Sequence, residues 1–434
     1  MTRRAFRTVG LAAVAVAALL LPADRAEAQD LAIVGATVHP VSGSEIENAT
    51  VLVVDGRIEA VGTGVAVPEG IRRIDGAGTI VTPGLFDPVS QIGLVEVDLV
   101  RQTRDQRLAD SDDPITAAFD PSVALNPWST LIPYARAGGL TTVATGPTGG
   151  LVAGQAAVID LAGETPEEML AKPRAAMRAS YGESGAAWAG GARGGAILRM
   201  REILEDARFW RANRSAFDRG QSRELAQSRL DLEALQPVLD GTMPLVVQAH
   251  RSSDILAVLG LAREFGIRPV ILGGSEAWMV ADRLAEAGVA VILKPLSSLP
   301  GDFEELGARF DNAAILHEAG VPIAFTTFEN HRAKEITQEA GNAVRFGLPW
   351  ETALEAITLA PAEIYGVADR YGSIEPGKVA NLVVWNGDPL ELSSYPEAVV
   401  IRGRVQPENS RQKALLERYR HLDDTARPAY DGSR

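Results

Sequence analysis

Chemistry in this chain has few imidazoles to work with. There are five histidines, His39, His250, His317, His331 and His421, and no cysteine. The missing thiols exclude disulfides, thiolate metal sites, iron–sulfur clusters and a Cys nucleophile. No His-x-His and no His-Glu-x-x-His occurs, so no local pair of imidazoles stands ready to hold a metal. No Gly-x-Ser-x-Gly elbow occurs either. The run Gly146-Pro147-Thr148-Gly149-Gly150, followed by Gly154-Gln155, lacks the lysine of a phosphate-binding loop. It can shape a ligand pocket with its backbone N–H groups, or serve as a flexible loop. Gly182 to Gly195, with Trp188, reads as a lid or as a plain linker ahead of a helix from Ile197 to Trp210.

Composition narrows the classes further. The chain has 434 residues, 42 Lys plus Arg against 56 Asp plus Glu, and a formal net charge of −14. No basic stripe is present, which excludes a strong nucleic-acid binder. The 46% hydrophobic content is that of a globular protein. Residues 1–28 read as a targeting segment: Arg3, Arg4 and Arg7, then the apolar run Leu11 to Leu21, then Ala26-Glu27-Ala28. Cleavage after Ala28 would leave Gln29 first. The start Thr2-Arg3-Arg4-Ala5-Phe6 resembles a twin-arginine export signal, and Arg25 fits that route better than the general one. The expected location is the periplasm, with no stable membrane insertion, since no later segment reaches the length of a membrane span.

The elements that must position any site fall into three stretches. Residues 31–82 read as short strands broken by turn signals, with Asp55-Gly56 as the strongest hairpin signal. From 83 to 365 a helical segment ending in Gly repeatedly leads into a β-branched strand. Gly139, Gly266, Gly288 and Gly320 precede Leu140, Ile267, Val289 and Val321. Each is a helix C-terminal glycine followed by a buried parallel strand. Such repeats predict an α/β fold, a (β/α)8 TIM barrel in preference to an open doubly wound sheet. Residues 371–405 return to short strands, so the two chain ends are expected to pair into one composite β-sandwich. The expected units are a signal peptide (1–28), a sandwich (29–82 with 366–406), a barrel (83–365), and a C-terminal helix and tail (407–434).

Specific motifs sharpen this. Gly35-Ala36-Thr37, Asp55 to Gly62, and Thr82-Pro83-Gly84-Leu85-Phe86-Asp87 resemble the opening of the amidohydrolase superfamily. Ala353 to Thr358, Pro361-Ala362, Gly366-Val367 and Gly372 to Trp385 resemble its close. The resemblance covers about residues 31–405. It implies a metal-dependent hydrolase barrel with a composite sandwich, acting on non-peptide C–N bonds such as those of cyclic amides or N-acyl amino acids.

The resemblance also implies a ligand set: His-x-His after strand 1, a carboxylated Lys or a Glu after strand 4, His after strands 5 and 6, and Asp after strand 8. In this chain Asp87-Pro88-Val89-Ser90-Gln91 stands at strand 1, with Val89 and Gln91 in the histidine positions. His250, ending Val246 to Ala249, matches the strand-5 ligand; the competing reading is a hydrogen-bonded His lining the mouth. Glu276 follows Leu272-Gly273-Gly274-Ser275 where the next His belongs, and either reaches inward or caps the following helix at Ala277. Phe328 takes the place of the strand-8 Asp, with Glu329 and His331 as substitutes or as exposed loop residues. Lys172 and Glu183 fall near strand 4 and neither is assigned. The metal candidates are therefore His250 and His331. Asp87 and Glu329 are the catalytic candidates. Gln91, Gln155, Glu183 and Glu276 are candidates for holding substrate at the mouth.

Two readings follow. One is an exported hydrolase-family member with a reduced or absent metal site, holding at most one divalent ion such as zinc. The other is a catalytically inactive relative that binds a small molecule or a protein partner at the barrel mouth. Both expect a small-molecule ligand and no nucleic acid, and both are compatible with an oligomer.

Overall fold

The computed structural model describes residues 30–108, 112–407 and 411–420. The expected signal peptide and His421 lie outside the described residues. Five strands open the chain: β1 (Leu31–Val38), β2 (Ile46–Val54), β3 (Arg57–Gly62), β4 (Arg72–Asp75) and β5 (Ile80–Pro83). Eight follow: β6 (Leu85–Ser90), β7 (Leu140–Thr145), β8 (Val152–Asp160), β9 (Leu170–Ser180), β10 (Leu245–Ala249), β11 (Pro269–Gly273), β12 (Val291–Leu293) and β13 (Ile323–Phe325). Three close it: β14 (Leu382–Trp385), β15 (Pro396–Ile401) and β16 (Arg404–Val405).

The two ends of the chain share one sheet, in the order β16-β15-β14-β5-β1-β2-β3, with β4 also beside β1. Asp55 and Gly56 both adopt positive φ (48° and 74°), the conformation a two-residue hairpin turn requires. Leu31, Ile33, Val51, Val53 and Ile58 from the first end bury a common core with Leu382, Val384 and Val400 from the second.

Strands β6 to β13 form a second sheet that curls into a nearly closed barrel. The segment Ala356–Ile357 bridges its seam: Phe86 N donates to Ile357 O (2.8 Å) and Phe325 N to Ala356 O (2.9 Å). Helices before β11 and β12 stop at Gly266 and Gly288, both left-handed (φ 66° and 62°), as the glycine pattern predicts. One strand departs from the parallel expectation. β8 runs antiparallel to both β7 and β9. Gly149 and Gly150 (φ 88° and 82°) reverse the chain directly after Thr148, so no crossover helix is needed. The glycine-rich run is thus a hairpin turn, and Gly154-Gln155 lie within a strand.

Apolar side chains fill the barrel: Phe86, Val89, Ala144, Ala156, Val246, Val270, Ile292 and Ala324. Ala360 to Tyr371 plug the end where the parallel strands begin, joining the same buried cluster. Lys172 lies there too, its Nζ donating to Tyr365 O (2.8 Å), far from any strand-4 ligand position at the mouth. A polar bolt fastens this end to the terminal sheet. The fully buried Asp160 accepts hydrogen bonds from Thr142 Oγ1 (3.2 Å), Tyr371 Oη (3.0 Å), Asn381 Nδ2 (2.8 Å) and Arg402 Nε (2.6 Å). Gly182 to Gly195 contains two helical segments, Gly182–Ala187 and the start of Arg193–Ala212, in place of a loose linker.

Candidate functional site: the barrel mouth and throat

At the ends of β9 to β13 a cavity of about 450 Å³ opens, within the range of small-molecule sites. Its wall includes Glu183, Gln248, His250, Ser275, Lys294, Glu305, Arg309 and Phe328. The connection from β12 to the helix Asn312–Glu318 covers one side and is held by carboxylates. Glu304 accepts from Glu183 N (2.7 Å) and Arg193 Nη2 (3.2 Å). Arg193 also reaches Asp254 (2.9 Å) and Glu183 (3.6 Å), so one guanidinium gathers three acids beside the cavity. Arg309 is paired to Asp311 and lies over the Trp278 ring at 4.6 Å.

His250 is 7% exposed. Its Nδ1 is 2.8 Å from Ser275 Oγ and 3.2 Å from Glu305 Oε1. A carboxylate only accepts, so the contact with Glu305 calls for a proton on Nδ1. The ring packs against Gly273, where a β-carbon would be 2.5 Å from its Cε1.

The remaining expected site residues are scattered. Asp87 is buried inside the barrel, accepting from Val89 N (3.0 Å) and Thr326 Oγ1 (2.7 Å). Burial pushes its carboxyl up to about 6, against the pull of those two donors and of Arg178. Gln91 is tied to Asn330: its N donates to Oδ1 (2.8 Å) and its Oε1 accepts from Nδ2 (3.1 Å). It does not line the cavity. Gln155 is a correction. It is neighbour to the inward-facing Ala156 on β8 and so points out of the barrel, toward Ala118 O (3.5 Å). Glu276 is another. Its carboxylate takes Ser252 N (2.9 Å) and caps the preceding helix Ser252–Phe265, neither reaching the cavity nor capping at Ala277. Glu183 does line the cavity, next to Arg193. Glu329 sits on the rim between Lys294 (3.3 Å) and Arg332 (3.5 Å). His331 is half exposed, faces Asp98 at 3.6 Å, and does not join His250. Among the described residues no three His, Asp or Glu side chains come together as a metal-ligand group.

One residue went unread in the sequence. Arg178, on β9, is 5% exposed inside the barrel. Its Nη2 donates to Ala144 O (2.7 Å), and its charge faces Asp87 and the Tyr365 hydroxyl. Burial lowers its pKa, while Tyr365 and Asp87 oppose that shift. Tyr365 in turn donates to Pro88 O (2.5 Å). The available signal was a lone cation in the run Ala175-Ala176-Met177-Arg178-Ala179.

The covering segment is also linked to pH. Glu339 is 3% exposed and accepts from Leu296 N (2.8 Å). Burial raises its carboxyl to about 7, opposed by the Leu296 N–H and Lys294. The folded state therefore binds this proton more tightly than the unfolded chain. Stability is highest below the ordinary carboxylate range and falls as pH rises toward 7. Glu339→Gln keeps the acceptor and removes the charge. It is expected to gain about 1–3 kcal/mol at pH 8, a gain that fades as pH falls toward about 4.5. Urea unfolding at several pH values measures this; a pH-independent effect of the substitution would refute it.

A sequence model described as "Amidohydrolase family" matches residues 240–409. The crystal structure of an amidohydrolase from Thermotoga maritima MSB8 superposes with a TM-score of 0.80 and 31% identity, covering 87% of this chain and 100% of that one. An imidazolonepropionase from a Polaromonas species is 28% identical over 417 residues, 82% of this chain and 88% of that protein. An imidazolonepropionase from Cupriavidus necator is 33% identical over 135 residues, 28% of this chain. For three curated relatives the match spans only between 10% and 32% of their length.

Proposed function

Because the chain belongs to the amidohydrolase superfamily, we propose that it is an exported member whose barrel mouth binds a small polar molecule and whose metal centre is reduced or absent. The observation that carries this is the fate of the ligand positions. Val89 is buried among apolar side chains, Gln91 is occupied by Asn330, Glu276 caps a helix, and Phe328 stands at the strand-8 position. Of the candidate ligands His250 and Glu183 line the cavity, single-metal catalysis by zinc takes three protein ligands, and among the described residues no three His, Asp or Glu side chains come together. The residues present do not fit a catalytic divalent ion, and no step is routed through one. The cavity keeps both signs of charge, Lys294 and Arg309 against Glu183 and Glu305, which suits a small polar or zwitterionic ligand. Export rests on Arg3, Arg4, the apolar run to Leu21 and Ala26-Glu27-Ala28.

A second reading has its own support. The likeness to imidazolonepropionase along 82% of the chain favours retained hydrolysis of a non-peptide C–N bond. Elemental analysis after gel filtration separates the two. Protein from the periplasmic fraction is expected to begin at Gln29 and to carry at most one metal ion, removed by a chelator with no loss of thermal stability. Two tightly held ions, or turnover of N-acyl amino acids that a chelator abolishes, would hand the lead to the hydrolase reading.

A further inference from the structure

We propose that the guanidinium of Arg178 is the barrel's own resident cation, balancing Asp87 and keeping divalent metal out of the throat. This rests on the reading that the metal centre is reduced or absent, and gives that reading a physical cause.

The throat is built around one buried carboxylate. Asp87 ties β6 to the residue after β13 through Thr326 Oγ1, and accepts from Val89 N within its own strand. A carboxylate held there needs a positive partner or a proton. Here Arg178 reaches in from β9, opposite Val246 on β10 and Gly154 on β8 in register. Gly146 packs against the same spot: a β-carbon there would overlap Ala156 (2.5 Å from its Cβ) and come within 3.2 Å of the Arg178 Nε. That Nε has no hydrogen-bond partner; Nη2 is held by Ala144 O, the Tyr365 hydroxyl lies against the group, and the charge of Asp87 acts on it without a direct ion pair. Val89 and Gln91 follow Asp87 by two and four residues on the same strand end. An ion bound between residues 89 and 91 would therefore share the throat with a buried guanidinium. Three positive charges would then face one carboxylate, in a medium that screens far less than water.

The inference predicts that restoring the lost ligands is not enough. Val89→His with Gln91→His is expected to leave zinc affinity within about 3-fold of the natural protein, because the repulsion remains. Adding Arg178→Gln to that pair is expected to tighten zinc binding at least about 100-fold. The probe is zinc itself, titrated in competition with a chromophoric chelator, with circular dichroism and gel filtration confirming that each variant is folded. If Arg178→Gln alone prevents folding, Asp87→Asn with Arg178→Gln removes both charges together and supplies the background for the same comparison. Tight zinc binding by the double-histidine variant with Arg178 intact would overturn this inference and leave the proposed function standing. Tightly bound metal in the natural protein would overturn the proposed function itself.

Discussion

Asp160→Ala is expected to cost about 3–5 kcal/mol of stability, the largest single-residue effect outside the barrel interior. The residue is fully buried, and four donors converge on its two oxygens. They come from β7, from the plug at Tyr371, from the approach to β14 at Asn381, and from Arg402 after β15. Removing the carboxylate leaves Arg402, about a third exposed, without its ion-pair partner, and the Tyr371 hydroxyl without its acceptor. Burial raises the Tyr371 phenol well above its usual range, with Asp160 adding to the rise, so Tyr371 stays a neutral donor throughout. Asp160→Asn should recover only part of the loss, because its amide presents two N–H groups to a shell already made of donors. Urea denaturation at pH 7 reads the effect. A loss below about 1 kcal/mol would mean that water or rearranged donors satisfy the shell.

Gly273→Ala is expected to disable the mouth. Gly273 ends β11 at φ 96°, a conformation that L side chains rarely adopt. Its missing β-carbon is also where the His250 ring sits, with ring atoms at 2.5, 2.6 and 3.0 Å. Backbone strain and steric overlap act together, so a loss of about 2–4 kcal/mol is expected. The ring must tilt away, losing its 2.8 Å contact with Ser275. Gly266→Ala is the matched control. Its φ is 66° and nothing lies within 4 Å of the added carbon, so only the backbone cost remains, about 1 kcal/mol. Thermal unfolding of both variants gives the energetic comparison. The ring-proton NMR signals of only five histidines make the displacement of His250 directly visible. Equal destabilisation in the two variants, with the His250 signals unmoved, would contradict the steric argument.

What was legible in the sequence was what local chemistry writes. Glycines ending helices at 266 and 288 marked where β11 and β12 begin, and Asp55-Gly56 marked its hairpin, because these conformations demand those residue types. The pairing of the terminal strands followed from short strands at both chain ends flanking the repeats, in agreement with the motif order. Strand direction was not legible: an apolar run such as Val152 to Asp160 has the same pattern read either way, and the glycines before it read as a loop at the mouth. Gln155 was misplaced for that reason, since its inward or outward sense depends on a register broken by irregularities at Val152/Gly154 and Ala156/Val158. Glu276 was misplaced because a carboxylate in a turn can cap the helix before it as well as the one after it. Arg178 was missed because its meaning depends on Asp87, which the chain brings beside it only after the barrel closes.

The shared terminal sheet has a consequence for how this protein is made. β5 emerges early from the ribosome, yet its outer partner β14 lies about 300 residues further along, so for most of synthesis that strand offers an unpaired, apolar edge. β7, β8 and β9, by contrast, are joined in sequence by antiparallel pairing and can zip up as soon as residue 180 is available. The barrel thus has a local starting point, while the sheet that joins the two termini waits for the last strands. Until then, the nascent chain carries an open strand edge that must be shielded from other copies of itself.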